Sequence, residues 1–325
     1  MNKLTISASL IIKNEEEMLD KCLKSIKGVD EIVIVDTGST DKSIEIAKKH
    51  GAKVITDYKW NDHFSEARNV SKMHCTGDWL LIIDGDEILE TSILTIRKFL
   101  DEPFMKEREA IMFYVNTGRE VNDQIRMFRN RPDIQWVGAA HNLPYVMENR
   151  QPRRMSEIQQ STFNIKANFS PNHRVDPDRT LRIMTKELQK GPQVLGQAQY
   201  TRYLYYVARE HMNRQDVFRV VWFLERYTET AAPTNELADV WFLLASCYVD
   251  LGHSFNDPRI TEKGIDACMK SIKYLPMFKA PWAMMHNLVN PSVKPMFEKI
   301  FHMANNEGVL FKRTDAEKIV KPEKK

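Results

Sequence analysis

The sharpest chemical signal in the sequence is Asp84-Gly85-Asp86, two carboxylates flanking a glycine directly after the apolar run WLLII at 79–83. Hard oxygen donors at this spacing suit Mg²⁺ or Mn²⁺, an ion that takes one or two carboxylates and completes its shell with diphosphate oxygens. An ion placed there would neutralise charge on a departing phosphate. Acidic solvated turns also contain such tripeptides. Position after a wholly apolar strand is what sets this one apart.

Two other polar clusters occupy equivalent places. Lys13-Asn14-Glu15 follows the apolar run 4–12, and Asp36-Thr37-Gly38-Ser39 follows EIVIV at 31–35. Around them, residues 4–116 alternate between strand-like and helix-like segments. Strands are predicted at 4–12, 31–35, 53–56 and 79–83. Helices are predicted at 16–26, from the N-cap candidates Ser39 and Asp41 to His50-Gly51, and at 65–73. This β-α-β order predicts a mostly parallel sheet covered on both faces. In such sheets ligands bind at the carboxyl ends of the strands, where all three polar clusters fall. Runs at 110–115, 124–128 and 163–167 predict antiparallel additions to that sheet.

From about Asp178 the pattern turns helical. Two helix pairs, 197–229 and 236–275, alternate large and small apolar residues around Ala245, Tyr248, Gly252, Ala267 and Pro276. This spacing predicts tetratricopeptide-type (TPR-like) hairpins, with the first pair (Tyr200, Tyr203, Ala208, Trp222) a looser copy. Met and aromatic stripes there are expected to pack.

The whole chain has 325 residues, 42% hydrophobic and 28% charged, which is ordinary for two globular domains. No apolar run reaches a membrane-spanning length and no leader pattern is visible, so a cytoplasmic location is expected. Cys22, Cys75, Cys247 and Cys268 are scattered, and free thiols are expected instead of a zinc site or disulfides. A net charge of +3 neither demands nor excludes a polyanion. Arg150, Arg153, Arg154, Arg174 and Arg179 could form a basic face for a nucleic-acid acceptor only if they converge.

The segments SLIIKNEE (9–16), IVIVDTGSTDKS (32–43), FSEARN (64–69) and TGDWLLIIDGDE (76–87) resemble family 2 glycosyltransferases of the GT-A fold. They are especially similar to the bacterial branch with a helical, TPR-like C-terminal region. The resemblance implies an α/β, Rossmann-like GT-A domain at 1–175 and an all-α domain at 176–325, for dimerisation or acceptor binding. It also implies a nucleoside diphosphate sugar donor, a UDP-sugar above all, Mn²⁺ or Mg²⁺, and inversion at the anomeric carbon.

Carried over by position, Ile12, Glu15 and Glu16 would face the base and ribose. Asp36 would accept a hydrogen bond from the base, and Arg68 and Asn69 would face the nucleotide. Asp84, with Gly85 beside it, would approach the ribose or the metal's water shell, and Asp86 would ligate the metal. The stretch RMFRN (126–130) followed by WVGAAHN (136–142) is similar to a second family signature, which implies His141 as a third ligand. Asn142 departs from that signature, standing where relatives carry an acid, and cannot act as a general base. Glu120 and Asp123, in a loop expected to overhang the same edge, are the candidate bases. His173 would lie near the diphosphate, or 172–178 is simply a linker.

The acceptor stays open among saccharide, protein and modified nucleic acid. Two alternatives remain. A sugar-phosphate nucleotidyltransferase would carry a glycine-rich loop after the first strand, which SLIIKNEE lacks. A catalytically degenerate core acting as a nucleotide-sugar-binding or interaction protein would bind donor without turnover.

Overall fold

Strands without a polar face must be covered on both sides. That rule governs the first half of the chain. In order come β1 (Ile6–Ile12), α1 (Leu19–Ser25), β2 (Glu31–Asp36), α2 (Ser43–Lys49), β3 (Lys53–Ile55), α3 (Phe64–Met73) and β4 (Trp79–Ile82). β1 and β4 are buried almost throughout. β1 pairs in parallel with β2 and β4, and β2 pairs in parallel with β3. The computed structural model describes residues 4–118, 120–168, 175–232 and 235–307. Asn172, His173 and Arg174 lie outside them.

After β4 come β5 (Glu87–Leu89), α4 (Ile93–Leu100), a 3-10 turn (Pro103–Glu107), β6 (Ala110–Asn116) and β7 (Val121–Arg129). These are followed by β8 (Ile134–Val137), β9 (Leu143–Glu148), β10 (Gln151–Arg153) and β11 (Ile158–Ala167). The main sheet has eight strands in the order β3-β2-β1-β4-β7-β6-β11-β5. β7 is antiparallel to both β4 and β6, and β5 is antiparallel to β11. The sheet is therefore mostly parallel and GT-A-like, as expected. One expectation is corrected: β11 runs parallel to β6. The small antiparallel sheet β10-β9-β8 intervenes between them, and this excursion returns the chain in the same direction.

By contacts the chain divides into two compact units, 1–183 and 184–325, with α5 (Arg179–Leu188) spanning the division. The second unit continues with α6 (Pro192–Leu195), α7 (Gln197–Asn213), α8 (Val217–Thr230), α9 (Asn235–Phe255), α10 (Pro258–Tyr274), α11 (Lys279–Leu288) and α12 (Lys294–Met303). The two helix pairs lie where the spacing predicts them. Tyr203, Tyr205 and Tyr227 pack inside, but Trp222 is exposed, with the Arg226 guanidinium 3.5 Å from its ring centroid. All four cysteines are free thiols. No helix among the described residues is long and apolar enough to cross a membrane.

α9 and α10 pack tightly at Gly252. A Cβ there would sit 2.2 Å from Thr261 Oγ1 and 2.8 Å from the Thr261 backbone nitrogen. Alanine normally favours a helix over glycine by about 1 kcal/mol. Overpacking against a backbone atom costs about 1–3 kcal/mol, so the sign reverses. Gly252→Ala is expected to lower the urea midpoint of the helical unit. A raised midpoint would show that the α9–α10 crossing is looser than described.

Candidate active site

Two loops at the carboxyl ends of β1 and β2 are laced together by side chain to backbone bonds. Ser39 Oγ accepts from Asn14 N–H (2.9 Å), Ser43 Oγ from Glu15 N–H (2.7 Å) and Asp41 from Glu16 N–H (3.0 Å). In return Asn14 Oδ1 accepts from Thr40 N–H (2.7 Å) and Glu16 from Lys42 N–H (3.0 Å). Asn14 adopts φ 53°, a left-handed conformation asparagine tolerates. Ser39 and Asp41 therefore bridge two loops. Lys42 occupies the N-cap of α2 without a side-chain cap of its own.

The DGD turn faces this rim. Gly85 is tightly packed: a Cβ would meet Glu15 Cγ at 3.0 Å and Ile12 Cγ2 at 3.3 Å, so these side chains would have to give by a few tenths of an ångström. The turn closes on itself, with Glu87 N–H donating to Asp84 O (3.0 Å) and Asp84 N–H donating to Glu87 Oε2 (2.9 Å). Two guanidiniums then approach. Arg68 of α3 donates to Asp84 Oδ1 at 2.8 Å and lies 4.9 Å from the Trp136 ring centroid. Arg126 of β7 donates to Glu87 Oε1 at 2.6 Å and has its Nη1 3.8 Å from Asp84 Oδ2. Burial raises the Glu87 pKa, Arg126 opposes that shift, and the Asp84 charge reinforces it. The Cys22 thiol donates to Asp84 O (3.3 Å). Its pKa is pushed well up by burial, then by Glu87, Asp84, Asp86 and Glu15.

Residues 7–165 match the family model for glycosyl transferase family 2. They form a family 2 glycosyltransferase domain. Among curated relatives, the chain is 41% identical over 147 residues to a TPR repeat-containing protein of Synechococcus elongatus, covering 42% of this chain and 35% of that one. It is 31% identical over 156 residues to the glycosyltransferase SunS of Bacillus subtilis, covering 46% and 36% respectively. Each match spans little more than a third of the relative's own length. Among solved structures, TarS of S. aureus aligns over 80% of this chain and 90% of that one at 15% identity, with a TM-score of 0.46. Glucosyl-3-phosphoglycerate synthase of Mycobacterium tuberculosis, in complex with Mn²⁺, UDP-glucose and phosphoglyceric acid, aligns over 36% and 45% at 26% identity, with a TM-score of 0.30.

The glycosyltransferase domain brings together most of the residues expected to form its site, in roles that often differ. Ile12 is buried at the end of β1, and its carbonyl accepts from the Thr37 amide and hydroxyl. Glu15 lies against Gly85, inside the acidic centre. Glu16 is exposed and spends its carboxylate on α2. The buried Asp36 carboxylate accepts from Gly38 N–H and Ser39 N–H, both at 3.0 Å, and so turns the chain after β2.

Asn69 spends much of its amide within the protein. Its Nδ2 donates to Trp136 O (3.0 Å) and its Oδ1 accepts from Trp136 N–H (2.9 Å), clamping α3 to β8. Arg68 pairs with Asp84 and not with its sequence neighbours Asp62 and Glu66. Arg126 was legible only as part of an arginine-bearing strand, because the bulge that turns it inward is a tertiary feature. Of the basic residues, Arg153 pairs with Glu148 and Arg179 lies over the Phe64 ring, so each has a local role.

His141 is exposed between β8 and β9 at φ 46°. Its loop is pinned to the start of α3 by Phe64 N–H to Ala139 O (2.9 Å) and Ser65 Oγ to Gly138 O (2.6 Å). Among the described residues no three His, Cys, Asp or Glu side chains form a metal-holding group, so Asp84, Asp86 and His141 are not assembled as a closed set. The reason is visible at Asp84, whose carboxylate is turned to the arginines.

The residues still fit a divalent ion of the open kind. Glu15, Asp84, Asp86 and Glu87 gather their carboxyl groups around this turn, with Arg68 paired to Asp84 and Arg126 to Glu87. Such hard oxygen donors suit a divalent cation, and Mg²⁺ or Mn²⁺ draws its other ligands from phosphate and water. Glu120 and Asp123 are both exposed beyond the carboxyl end of β4, with Asp123 accepting from Gln160 (3.3 Å). At about 3.3 Å per residue, Asp123 is roughly 10 Å and Glu120 roughly 20 Å along β7 from Arg126.

Asn69→Ala would leave both backbone groups of Trp136 without their partner. At about 1–3 kcal/mol per unsatisfied buried group, a loss of roughly 2 kcal/mol in unfolding free energy is expected, read by urea titration. An unchanged midpoint would return Asn69 to the nucleotide-facing role.

Proposed function

We propose that the chain is a metal-dependent glycosyltransferase that moves a sugar from a nucleoside diphosphate sugar, a UDP-sugar by first choice, to an acceptor hydroxyl with inversion. The observation that supports this most is the closed DGD turn at the carboxyl edge of a parallel sheet, with the carboxyl groups of Glu15, Asp84, Asp86 and Glu87 gathered around it.

In this reading Asp86 would hold the metal directly. The ion would supply electrostatic relief for the leaving diphosphate. Arg68, which bonds Asp84 through one of its guanidinium nitrogens, would share its remaining donors with phosphate. Asp36 keeps acceptor capacity beyond its two backbone bonds and can receive a base N–H. A general base must reach within about 3 Å of the acceptor proton, which favours Asp123 over the more remote Glu120. Saccharide, protein and modified nucleic-acid hydroxyls all remain compatible acceptors.

A panel of nucleoside diphosphate sugars, each with Mn²⁺ and with EDTA, tests the donor reading by thermal shift. At a hundredfold excess over Kd, binding contributes about 2.7 kcal/mol. For a domain of this size that is a rise of roughly 5–10 °C. Failure of every donor to stabilise the protein with Mn²⁺ would sink the reading.

Asp86→Asn is expected to abolish the metal-dependent part of the shift. It should also lower kcat/KM for donor turnover by roughly 10²–10³-fold, the equivalent of several kcal/mol of lost charge stabilisation. The same titration on His141→Ala decides the imidazole's role. A loss comparable to that of D86N would make it a ligand, and wild-type behaviour would remove it from the set.

A further inference from the structure

β7 loses register with β6 at one place. Ile111 faces Met127 and Met112 faces Ile125, which leaves Arg126 as an extra residue on β7. A bulge gives up regular pairing and re-aims a side chain. Here it aims a guanidinium into the interior: the Arg126 side chain is 8% exposed and that of Glu87 5%. Burying two charges is unfavourable unless they are paired, and an apolar pair of similar volume would serve stability as well or better.

What the pair does that an apolar one could not is grip the acidic turn. Arg126 Nη2 holds Glu87 Oε1 at 2.6 Å, and Glu87 Oε2 holds the Asp84 N–H at 2.9 Å. The Asp84 carbonyl in turn receives Glu87 N–H at 3.0 Å. Asp86 lies inside this ring of bonds. Arg68 differs in reaching only the Asp84 carboxylate, from α3.

We propose that Arg126 is a positioning residue: acting through Glu87, it fixes the backbone of turn 84–87 and thereby the direction in which Asp86 offers its carboxylate. The inference rests on the glycosyltransferase reading for what Asp86 is offered to. It does not depend on that reading for the rigidity of the turn. The fork of a guanidinium spans Glu87 and Asp84 together, and a lysine ammonium cannot.

The test uses the full chain with Arg126→Lys, which keeps the charge, and Glu87→Gln, which keeps volume and an acceptor for the Asp84 N–H. UDP binding is measured by calorimetry with Mn²⁺ and with EDTA, and amide exchange of turn 84–87 is measured alongside. In R126K, Mn²⁺-dependent UDP binding is expected to weaken by about 10–100-fold, the usual effect of losing a residue that orients a metal ligand, with EDTA binding unchanged. Exchange in the turn should quicken about tenfold or more while the melting temperature of the domain changes little. E87Q should show the same pattern more weakly.

Equal weakening with and without metal would overturn the proposal and place Arg126 in the nucleotide pocket. Unchanged exchange in a folded R126K would overturn it as well. If R126K does not fold, E87Q carries the same comparisons and the same overturning results. Should the wild-type chain bind no UDP, the donor reading fails, and the exchange rates alone decide whether Arg126 holds the turn.

Discussion

Four carboxylates crowd one turn and one loop at the edge of the sheet, and their mutual repulsion is the constraint the rest of this domain answers. Two guanidiniums answer part of it. Arg126 is buried against Glu87 beneath the turn, and Arg68 reaches the Asp84 carboxylate from α3. Asp86, itself buried, and Glu15, packed against Gly85, complete the cluster. Oxygen donors of this kind are those a hard divalent cation prefers.

The surrounding framework keeps these groups close. The β1 and β2 loops cannot drift apart, because Asn14, Glu16, Ser39, Asp41 and Ser43 tie each to the other's backbone. Gly85 lets the DGD turn pack tightly against Glu15 without displacing it. α3 serves as a brace. Its first turn holds the β8–β9 loop, Asn69 holds Trp136, and Arg68 projects between them onto Asp84. One short helix thus links the small sheet to the acidic turn.

The helical unit is built on a different principle. Its α9–α10 pair closes through small residues, Gly252 against Thr261 and Gly264 against Val249, with capping by Asp257 at the start of α10. Aromatic residues fill its interior, and Trp222 stands outside with Arg226 over its ring.

The parallel core and the DGD turn were legible in the sequence because both follow from local rules. Apolar β-branched runs form buried strands, glycine allows a tight turn, and carboxylates at strand ends mark a site. The helix pairs at 197–229 and 236–275 were legible for the same reason, through spacing alone. Short strands such as β5, β8 and β10, and the parallel direction of β11, depend on which neighbour each one finds, and no local period encodes that. The same limit explains the site residues. The sequence by itself determined which residues are acidic, basic or small, and that Asp84, Asp86, Glu15 and Asp36 share one edge. Only tertiary structure decided that Asn69 clamps Trp136, that Glu16 serves α2, and that a bulge sends Arg126 inward to Glu87. A side chain's partner across 16, 39 or 67 positions is set by the packing of whole elements, not by its neighbours in the chain.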